Sequence, residues 1–286
     1  MTKLIADSGG TSTSWCLIAA DGQRQERESA GLNPHHGLPT AQELKDCFLH
    51  ERDWPQHIDA VHFYGAGCTP DRIGAVRALL VAATGCPEER VEVRSDVVGA
   101  ARALCGDEPG RVCILGTGSN TSYWDGHDAL AGVRPLGYVL GDEGSGAHIG
   151  RMLLRGILRG TCSQRLADAF RRETGLSYAD ILERVYRQAQ GNAFLASLAT
   201  FCGRHRDDPY VRRVLAQSFG AFADEQVAPL VATYGRGPLH CVGSVAYFFR
   251  PELTAVFSER GLTVGNIVRR PIEALADYHE RRNTCR

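Results

Sequence analysis

Two segments of the sequence share one pattern: an apolar strand, a turn rich in Gly, Ser and Thr, and a returning strand. The first runs from Lys3 to Ala19 and the second from Gly110 to Trp124. Each pattern predicts a β-hairpin whose tip is polar and contains glycine. Glycine leaves backbone amides accessible and hydroxyls add donors, so such tips suit the oxygens of a triphosphate. A single tip of this kind is more often a plain turn, but two in one chain favour a shared ligand.

The chain is long enough for two lobes, because its 286 residues exceed the roughly 100 to 200 residues of a typical domain. Between the hairpins, apolar Ala60–Tyr64, a helical pattern over Asp71–Thr84 and a short strand at Val91–Val93 predict two parallel strands joined by a helix. Helical periodicity dominates from Gly144 to Tyr234, which predicts a helix-rich second lobe. We expect the last strand at Leu239–Val242.

Composition and charge exclude several functional classes. Lys plus Arg (32) nearly cancels Asp plus Glu (33), so no large field attracts nucleic acid or an acidic membrane surface. The N-terminus lacks the pattern of a secretory signal and no apolar run could cross a bilayer, so we expect a cytoplasmic protein without a membrane partner. No two of the ten cysteines lie within four positions of each other, which favours scattered reduced thiols over a metal cluster.

The glycine motifs of two common nucleotide-binding folds are missing. The sequence has no G-x-x-x-x-G-K-[ST], and neither glycine run opens a helix after its strand in the G-x-G-x-x-G manner, which argues against P-loop and Rossmann proteins. A carboxylate stands beside the first tip instead. Asp7 would be repelled by phosphate unless a cation lay between them, so it is a candidate for holding Mg²⁺ through its water shell.

Five motifs in a fixed order carry a family resemblance. They are Asp7-Ser8-Gly9-Gly10-Thr11, Asp96, Gly116-Thr117-Gly118-Ser119-Asn120, Gly141-Asp142-Glu143-Gly144-Ser145-Gly146 and Val242-Gly243-Ser244-Val245-Ala246. This order resembles the N-acetylglucosamine kinase branch of the actin and sugar-kinase superfamily, within the wider family of BadF/BadG/BcrA/BcrD-type ATPases. The match spans residues 4 to about 275, and five ordered motifs are far harder to obtain by chance than one.

The resemblance implies an α/β fold of the two-lobed, actin-like ATPase (ribonuclease H-like) type, with a nucleotide cleft between the lobes. The small lobe would comprise residues 1–106, completed by a C-terminal helix within 271–286, and the larger helix-rich lobe residues 107–270. The implied cofactors are ATP and Mg²⁺. The implied ATP-binding residues are Gly9, Gly10, Thr11, Ser12, Thr13, Gly116, Thr117, Gly118, Ser119, Gly243, Ser244 and Ala246.

A catalytic base and a sugar site are also implied. Asp96 matches the family's catalytic aspartate, which accepts the proton of the attacking hydroxyl, and a plain helix N-cap is the alternative. Asp142 and Asn33 match sugar-binding positions of the family. The alternative to this role is an acidic helix start for Asp142 and a turn before Pro34 for Asn33. Glu143 is a candidate for orienting the loop. The implied sugar-binding residues are Asn33, Asp96, Thr117, Gly137 and Asp142.

Three histidines near these motifs are assigned no catalytic or ligand-binding role, and two other positions depart from the family's pattern. We expect His35 and His36 to be exposed in a surface loop and His148 to pack within a helix. Ser12 stands where many relatives carry Lys or Arg, so the first tip lacks a fixed positive charge. Leu136 stands where relatives have an aromatic sugar contact, which leaves the identity of the amino sugar open.

The function implied by the resemblance is ATP-dependent phosphorylation of an amino sugar at its 6-hydroxyl, with N-acetylglucosamine giving N-acetylglucosamine 6-phosphate. Glucosamine and N-acetylmuramic acid are alternative substrates, and a nucleotide-dependent sugar sensor without turnover is the non-enzymatic alternative. A further functional hypothesis is the activator ATPase of an acyl-CoA dehydratase, which requires cysteines for an iron-sulfur cluster shared between subunits. The expected partners are the sugar and ATP, with a homodimer through the helical lobe as a family-level expectation.

Overall fold

The computed structural model describes residues 1–35, 37–49 and 57–282 and shows a mixed α/β protein. The strands are β1 Lys3–Ser8, β2 Ser12–Ile18, β3 Arg24–Ala30, β4 Ala60–Gly65, β5 Val91–Ser95, β6 Gly110–Leu115, β7 Ser119–Trp124, β8 Ala129–Ala131, β9 Leu239–Val242 and β10 Val264–Val268. The helices are α1 Ala41–Leu49, α2 Ile73–Thr84, α3 Asp96–Cys105, α4 Gly137–Leu140, α5 Gly146–Arg159, α6 Gln164–Thr174, α7 Tyr178–Tyr186, α8 Gly191–Ser197, α9 Ala199–Arg204, α10 Pro209–Phe222, α11 Ala228–Tyr234, α12 Ser244–Phe248, α13 Arg250–Glu259 and α14 Ile272–Arg281.

The chain divides into two compact units. The first comprises the described residues of 1–108, 126–129 and 270–282, and the second comprises 109–125 and 130–269. Each unit is built on its own five-stranded sheet.

The sheet of the first unit has the order β3-β2-β1-β4-β5. Its central strand β1 carries Leu4, Ile5 and Ala6, all fully buried, as expected for a strand covered on both faces. β1 pairs antiparallel with β2 and parallel with β4, which in turn pairs parallel with β5. The first predicted hairpin and the predicted strand-helix-strand unit are therefore confirmed.

The carboxyl ends of the three parallel strands meet at one edge of this sheet. Ser8 lies opposite Gly65, and Gly65 lies opposite Ser95. The tip after β1, the turn after β4 and Asp96, which begins α3, therefore all lie at this edge. The Ala66 N–H donates to the Ser8 carbonyl at 2.8 Å and ties the first two together. Ligands of α/β proteins bind at the carboxyl ends of parallel strands.

The edge strand β3 is not predicted by apolar periodicity. Its sequence, RQERESA, is dominated by polar and charged side chains. Within the described residues it pairs with β2 on one side, antiparallel. Charged side chains on an edge strand discourage the addition of further strands, so this composition suits its position.

The sheet of the second unit has the order β10-β9-β6-β7-β8. β6 and β7 form the second predicted hairpin, which is confirmed, and β9 pairs parallel with β6. The prediction that β9 is the last strand is wrong, because β10 follows it and pairs parallel with it. Gly265 and Asn266 have low β-propensity and obscure this strand in the sequence, and its register shifts between Val264 and Ile267.

The second unit is rich in helices, as predicted. The last part of the helical pattern expected from Gly144 to Tyr234 is one continuous segment that changes type, because α10 passes through a π-helical turn at Ala223–Val227 before α11. α5 begins at Gly146, and the buried Ser145 hydroxyl caps it by accepting the His148 N–H at 3.1 Å. Asp142 therefore lies three positions before the Ser145 N-cap, and the alternative of an acidic helix start agrees with this position.

Two observations bear on the expected class of protein. Among the described residues, no helix combines the length and the apolar character needed to cross a lipid bilayer. The nine cysteines within the described ranges are free thiols, and Cys285 lies outside those ranges.

Candidate active site

Buried hydroxyls support the first hairpin tip, Gly9–Thr13. The hydroxyl oxygens of Ser8 and Thr13 lie 2.8 Å apart, and both residues are fully buried. The Leu32 N–H donates to the Ser8 hydroxyl at 2.9 Å, and the Thr13 hydroxyl donates to the Ala30 carbonyl at 3.1 Å. The sequence predicts that Thr13 binds ATP. In the structure its hydroxyl is hydrogen-bonded to Ser8 and Ala30, which stabilises the shape of the tip.

The end of the first tip is exposed at Gly10, Thr11 and Ser12. The Gly9 N–H donates to the Ser12 carbonyl at 2.9 Å and closes the turn. Gly31 passes beneath this turn, and its N–H donates to the Thr11 carbonyl at 3.1 Å. A Cβ atom on Gly31 would lie 2.7 Å from the Gly9 carbonyl oxygen, so only glycine fits there. The predicted phosphate tip and the segment leading to Asn33 therefore form one connected structure.

Asn33 lies at the same edge of the sheet. Its Oδ1 accepts the His35 N–H at 3.0 Å, which is the local turn expected of Asn before Pro. Gly67, in the turn after β4, has a φ of 77° and approaches so closely that an added Cβ would lie 2.4 Å from this oxygen. His35 is exposed, as predicted, and His36 lies outside the described residues.

Asp7 and Asp96 are brought together at the carboxyl edge of the first sheet. Asp7 is the penultimate residue of β1, and Asp96 follows β5. The Asp96 Oδ1 accepts the Val97 N–H at 2.9 Å. Burial raises the pKa of Asp96 to about 6, against opposing hydrogen bonds from backbone N–H groups. Burial, and then the negative charge of Asp96, raise the pKa of Asp7 to about 7.

The second hairpin tip belongs to the second unit and is fastened to the start of α5. The Gly116 N–H donates to the Gly118 carbonyl at 2.9 Å and closes the tip. The Gly146 N–H donates to the Gly116 carbonyl at 2.8 Å, and the Ala147 N–H donates to the Thr117 carbonyl at 3.1 Å. The tip and the loop before α5 are thus a single rigid assembly.

Asp142 lies directly against the second tip. A Cβ atom on Gly118 would be 2.9 Å from Asp142 Oδ2, and the Ser119 N–H donates to Oδ1 at 3.4 Å. Asp142 has a φ of 56°, the one positive φ outside glycine among the described residues. Such strained conformations concentrate at functional sites, where the surrounding structure holds them in place. Burial raises the pKa of the Asp142 carboxyl.

The remaining predicted residues of the second unit differ in accessibility. Gly137 is exposed and begins α4 with a φ of 72°. Gly243 has a φ of 122°, and an added Cβ would lie 2.2 Å from the Leu115 carbonyl oxygen, so glycine is required there. Ser244 is exposed at the start of α12, whereas Ala246 is fully buried and packs in the core.

A solved structure similar to this chain identifies its family. A protein from Porphyromonas gingivalis described as a "putative N-acetylglucosamine kinase" is 42% identical, with a TM-score of 0.88 over 98% of this chain and 99% of that chain. The chain belongs to the N-acetylglucosamine kinase-like family of sugar kinases. No protein-family model matches the sequence, and no curated protein matches it.

Two more distant structures share the fold of this N-acetylglucosamine kinase-like chain. A Chromobacterium violaceum protein with the same description is 21% identical, with a TM-score of 0.71 over 97% of this chain and 98% of that chain. A ROK family glucokinase from Streptomyces griseus, solved with glucose and AMPPNP, is 15% identical, with a TM-score of 0.55 over 97% of this chain and 98% of that chain. The two-lobed, actin-like ATPase fold expected from the motifs is confirmed.

The carboxylates of this family member suit a magnesium ion. Asp7 and Asp96 supply the oxygen donors that Mg²⁺ prefers. Both side chains have raised pKa values, so ionising them in the protein without a cation costs free energy. A divalent cation beside Asp7 would offset that cost. The residues therefore fit the ion.

Sequence reasoning missed Ser218 and Gln226, which lie behind the second tip and the loop beside it. His148, expected to pack, is half-buried, and its Nδ1 accepts the Gly144 N–H at 3.3 Å. Ser218, 70 positions further along the chain, lies 2.8 Å from the same Nδ1. Gln226 lies 3.0 Å from the Ser119 hydroxyl across 107 positions. No local motif marks these residues, because their partners are distant in sequence.

Proposed function

We propose that this protein transfers the γ-phosphoryl group of ATP to the 6-hydroxyl of an amino sugar, with N-acetylglucosamine as the expected substrate. The observation that carries the proposal is the pair of carboxylates, Asp7 and Asp96, beside an exposed glycine-containing tip at the carboxyl edge of parallel strands. The 42% identity to a protein described as a "putative N-acetylglucosamine kinase" supports an amino sugar as the acceptor. Glucosamine and N-acetylmuramic acid are the alternative acceptors.

In this proposal Asp96 is the general base. Its carboxylate removes the proton of the sugar hydroxyl while that oxygen bonds to the γ-phosphorus, and the bond from the γ-phosphorus to the bridging oxygen breaks to release ADP. Asp7 holds Mg²⁺, which when bound neutralises charge on the phosphates. Most of the acceleration then comes from positioning and from neutralised charge, since little covalent work is asked of the protein.

The glycine-containing tips would bind the nucleotide. We propose that exposed Gly10, Thr11 and Ser12 contact the phosphates, with Gly9 and Thr13 shaping that tip. In the second unit, Gly116, Thr117, Gly118 and Ser119 would serve the phosphates, and Gly243 with Ser244 the adenosine. Ala246, buried beneath α12, would support the adenosine loop through packing.

Asp142 and Asn33 would recognise the sugar. The Asp142 carboxylate is held beside the second tip in a strained conformation, where it can accept hydrogen bonds from ring hydroxyls. Exposed Gly137 would let backbone approach the sugar, and Thr117 would contact both the sugar and ATP. Exposed Leu136 offers apolar surface for an N-acetyl group in place of aromatic stacking.

A coupled assay of ADP release tests the proposal. The sugars would be N-acetylglucosamine, glucosamine, N-acetylmuramic acid, N-acetylmannosamine and glucose, each with MgATP. We expect ADP release only with sugar present, the highest kcat/KM with N-acetylglucosamine, and a 6-phosphate product identified by NMR. Sugar-dependent ADP release with a preference for glucosamine or N-acetylmuramic acid would change the proposed substrate but support the proposed kinase activity. Binding of sugar and AMPPNP without any ADP release would instead favour a sensor.

Acidic pH should suppress the reaction through the two carboxylates. Asp96 must be ionised to act as a base and its pKa is about 6, so kcat/KM should be level above pH 6 and fall about tenfold per pH unit below it. Asp7 has a pKa of about 7 without a cation, so the apparent affinity for Mg²⁺ should weaken as the pH falls below 7. Initial rates from pH 4.5 to 8.5, with activity recovered at pH 8 as the control, measure this. A level profile down to pH 4.5 would contradict the assignment of Asp96.

A positive charge at the first tip should improve ATP binding. Ser12 is exposed at that tip, so Ser12→Lys would place an ammonium group beside the proposed phosphates. We expect the KM for ATP to fall by several-fold and the KM for sugar to change little. Ser12→Gln is the matched uncharged control. An unchanged or higher KM for ATP in Ser12→Lys would count against this position of the phosphates.

Two expectations remain predictions. We expect the protein to act in the cytoplasm and to form a homodimer through its helical second unit. Gel filtration with light scattering tests the second expectation.

A further inference from the structure

The loop that carries Asp142 is backed by one long helical segment of the second unit. This segment runs through α10, the π-helical turn Ala223–Val227 and α11. Three of its residues face the loop, namely Ser218, Phe222 and Gln226. They are spaced by four positions. Phe222 and Gln226 lie against Gly144 and Glu143 of the loop, and Ser218 reaches Gly144 through His148 on α5.

Ser218 and Phe222 fix the backbone of Gly144. The Ser218 hydroxyl lies 2.8 Å from His148 Nδ1, which accepts the Gly144 N–H at 3.3 Å. Burial, and then the charge of Arg151, lower the pKa of His148 to about 4, so its imidazole is neutral near pH 7 and able to accept. Gly144 has a φ of 76°, and an added Cβ would lie 2.7 Å from the Phe222 Cβ. The loop backbone therefore packs directly on the helix.

Gln226 joins the loop to the second hairpin tip. Its Nε2 donates to Glu143 Oε2 at 2.8 Å and to the Ser119 hydroxyl at 3.0 Å, and the residue is only 7% exposed. The Ser119 hydroxyl donates to the Glu143 carbonyl at 2.7 Å, so three groups close a ring of hydrogen bonds. The Gln226 carbonyl also accepts the Thr121 hydroxyl at 3.3 Å, which anchors the helix to β7.

The π-helical turn explains why Gln226 faces the loop. In an uninterrupted α-helix, at about 100° per residue, Gln226 would lie roughly 80° around the axis from Ser218. A π-helical turn contains more residues, so each residue rotates through a smaller angle. The turn at Ala223–Val227 therefore returns Gln226 towards the side that Ser218 and Phe222 occupy. Single π-helical turns of this kind frequently mark functional sites.

We propose that Gln226 is a positioning residue that holds the sugar loop at Asp142 in register with the phosphate tip at Ser119. The two contacts of its amide reach Ser119 and Glu143, which lie within or next to the two predicted ligand sites. The expected effect of Gln226 on catalysis rests on the proposed function. Its expected effect on the loop rests only on the hydrogen bonds of its amide.

The kinetic test uses Gln226→Met and Gln226→Glu. Met fills a similar volume without a donor, and Glu places a second acid group beside Glu143. Since a hydrogen bond to a charged group is worth about tenfold or more, we expect the sugar KM to rise at least about tenfold in both variants. The KM for ATP should rise less than the sugar KM, because the second tip is also held by the Gly146 and Ala147 N–H groups, which donate to the Gly116 and Thr117 carbonyls. The kcat should stay within about threefold, because Asp96 belongs to the other unit. Gln226→Asn, which keeps the amide but shortens it, serves if Gln226→Met does not fold.

Gln164→Glu is the matched control, since Gln164 also donates to a carboxylate but is exposed on α6. It should leave both KM values unchanged. A purely space-filling role for Gln226 predicts a normal sugar KM in Gln226→Met, and this result would overturn the proposal. A parallel rise of both KM values with an equal fall in melting temperature would overturn it as well.

Hydrogen exchange separates this inference from the proposed function. The N–H groups of Gly144, Ser145, Gly146 and Ala147 are hydrogen-bonded in the loop and to the second tip. In Gln226→Met, amides over 141–147 should exchange about tenfold faster than in wild type, while those of 9–13 should not change. Unchanged exchange over 141–147 would overturn the inference even in an active kinase. Faster exchange in a protein that phosphorylates no sugar would uphold it and reject only the proposed function.

Discussion

Asp96→Asn should lower kcat for the sugar by about a thousandfold, since a positioned general base contributes roughly 10²–10⁴. Asn keeps the size of the side chain and an oxygen that can accept the Val97 N–H. It cannot take a proton from the hydroxyl. Steady-state assays of ADP release with saturating sugar and MgATP measure the loss, and the affinity for AMPPNP should change by less than about threefold.

Stability distinguishes this loss of catalysis from unfolding. The folded-state pKa of Asp96 is raised from 3.8 to about 6, so the folded protein holds this proton more tightly than the unfolded chain does. Ionisation above pH 6 therefore costs stability, and Asp96→Asn should melt at the same or a higher temperature at pH 8. Asp46→Asn, exposed on α1, is the control and should leave kcat unchanged. Near-normal turnover in Asp96→Asn would remove the general base from the proposed mechanism.

Arg102→Leu should reduce the free energy of unfolding of the first unit by about 1 to 3 kcal/mol, because the buried Tyr64 hydroxyl loses this donor whereas the Glu92 carboxylate, 31% exposed, can regain water. Arg102 on α3 is 10% exposed in its side chain. It donates to the Tyr64 hydroxyl at 2.6 Å and to both Glu92 oxygens at 3.0 Å. The Tyr64 hydroxyl also lies 2.7 Å from the Nε2 of His279 on α14, so the C-terminal helix depends on the same network.

Urea unfolding followed by circular dichroism measures this change. Arg72→Leu is the control, because Arg72 pairs with Asp71 at 3.3 Å in solvent and should contribute less than about 1 kcal/mol. A loss below 1 kcal/mol in Arg102→Leu would show that water replaces the guanidinium at Glu92. Kinase activity at low temperature should survive in the folded fraction, since Arg102 contacts none of the proposed ligand sites.

The same network explains a cluster that resembles a metal site. Within the described residues, His62, Glu92 and His279 place potential ligand atoms within 4.8 Å of one another. The Glu92 carboxylate, however, already accepts from Arg102 and lies 2.9 Å from His62 Nδ1. Burial opposes ionisation of Glu92, but the His62 hydrogen bond and the Arg102 charge outweigh it and lower its pKa to about 2. The cluster is best understood as a hydrogen-bonded link between β4, β5 and α14.

Local chemistry made much of the architecture predictable. The apolar strands, the glycine-containing tips, Asp7 near the end of β1 and Asp96 directly after β5 are patterns of adjacent residues. Such patterns predict the two hairpins, the parallel strands and the family. β3 and β10 escaped prediction because their side chains are largely polar or their backbone is irregular, so periodicity carries little signal there.

The order of amino acids specifies which groups are available: two phosphate-type tips, the carboxylates Asp7, Asp96 and Asp142, and the motif order that identifies the family. How these groups are held follows from the three-dimensional fold. The Asp7–Asp96 proximity follows from the register of parallel strands, and the contacts of Gln226 follow from the rotation of a π-helical turn. Partners about 80 to 110 positions apart meet through packing, which a pattern of neighbouring residues does not encode.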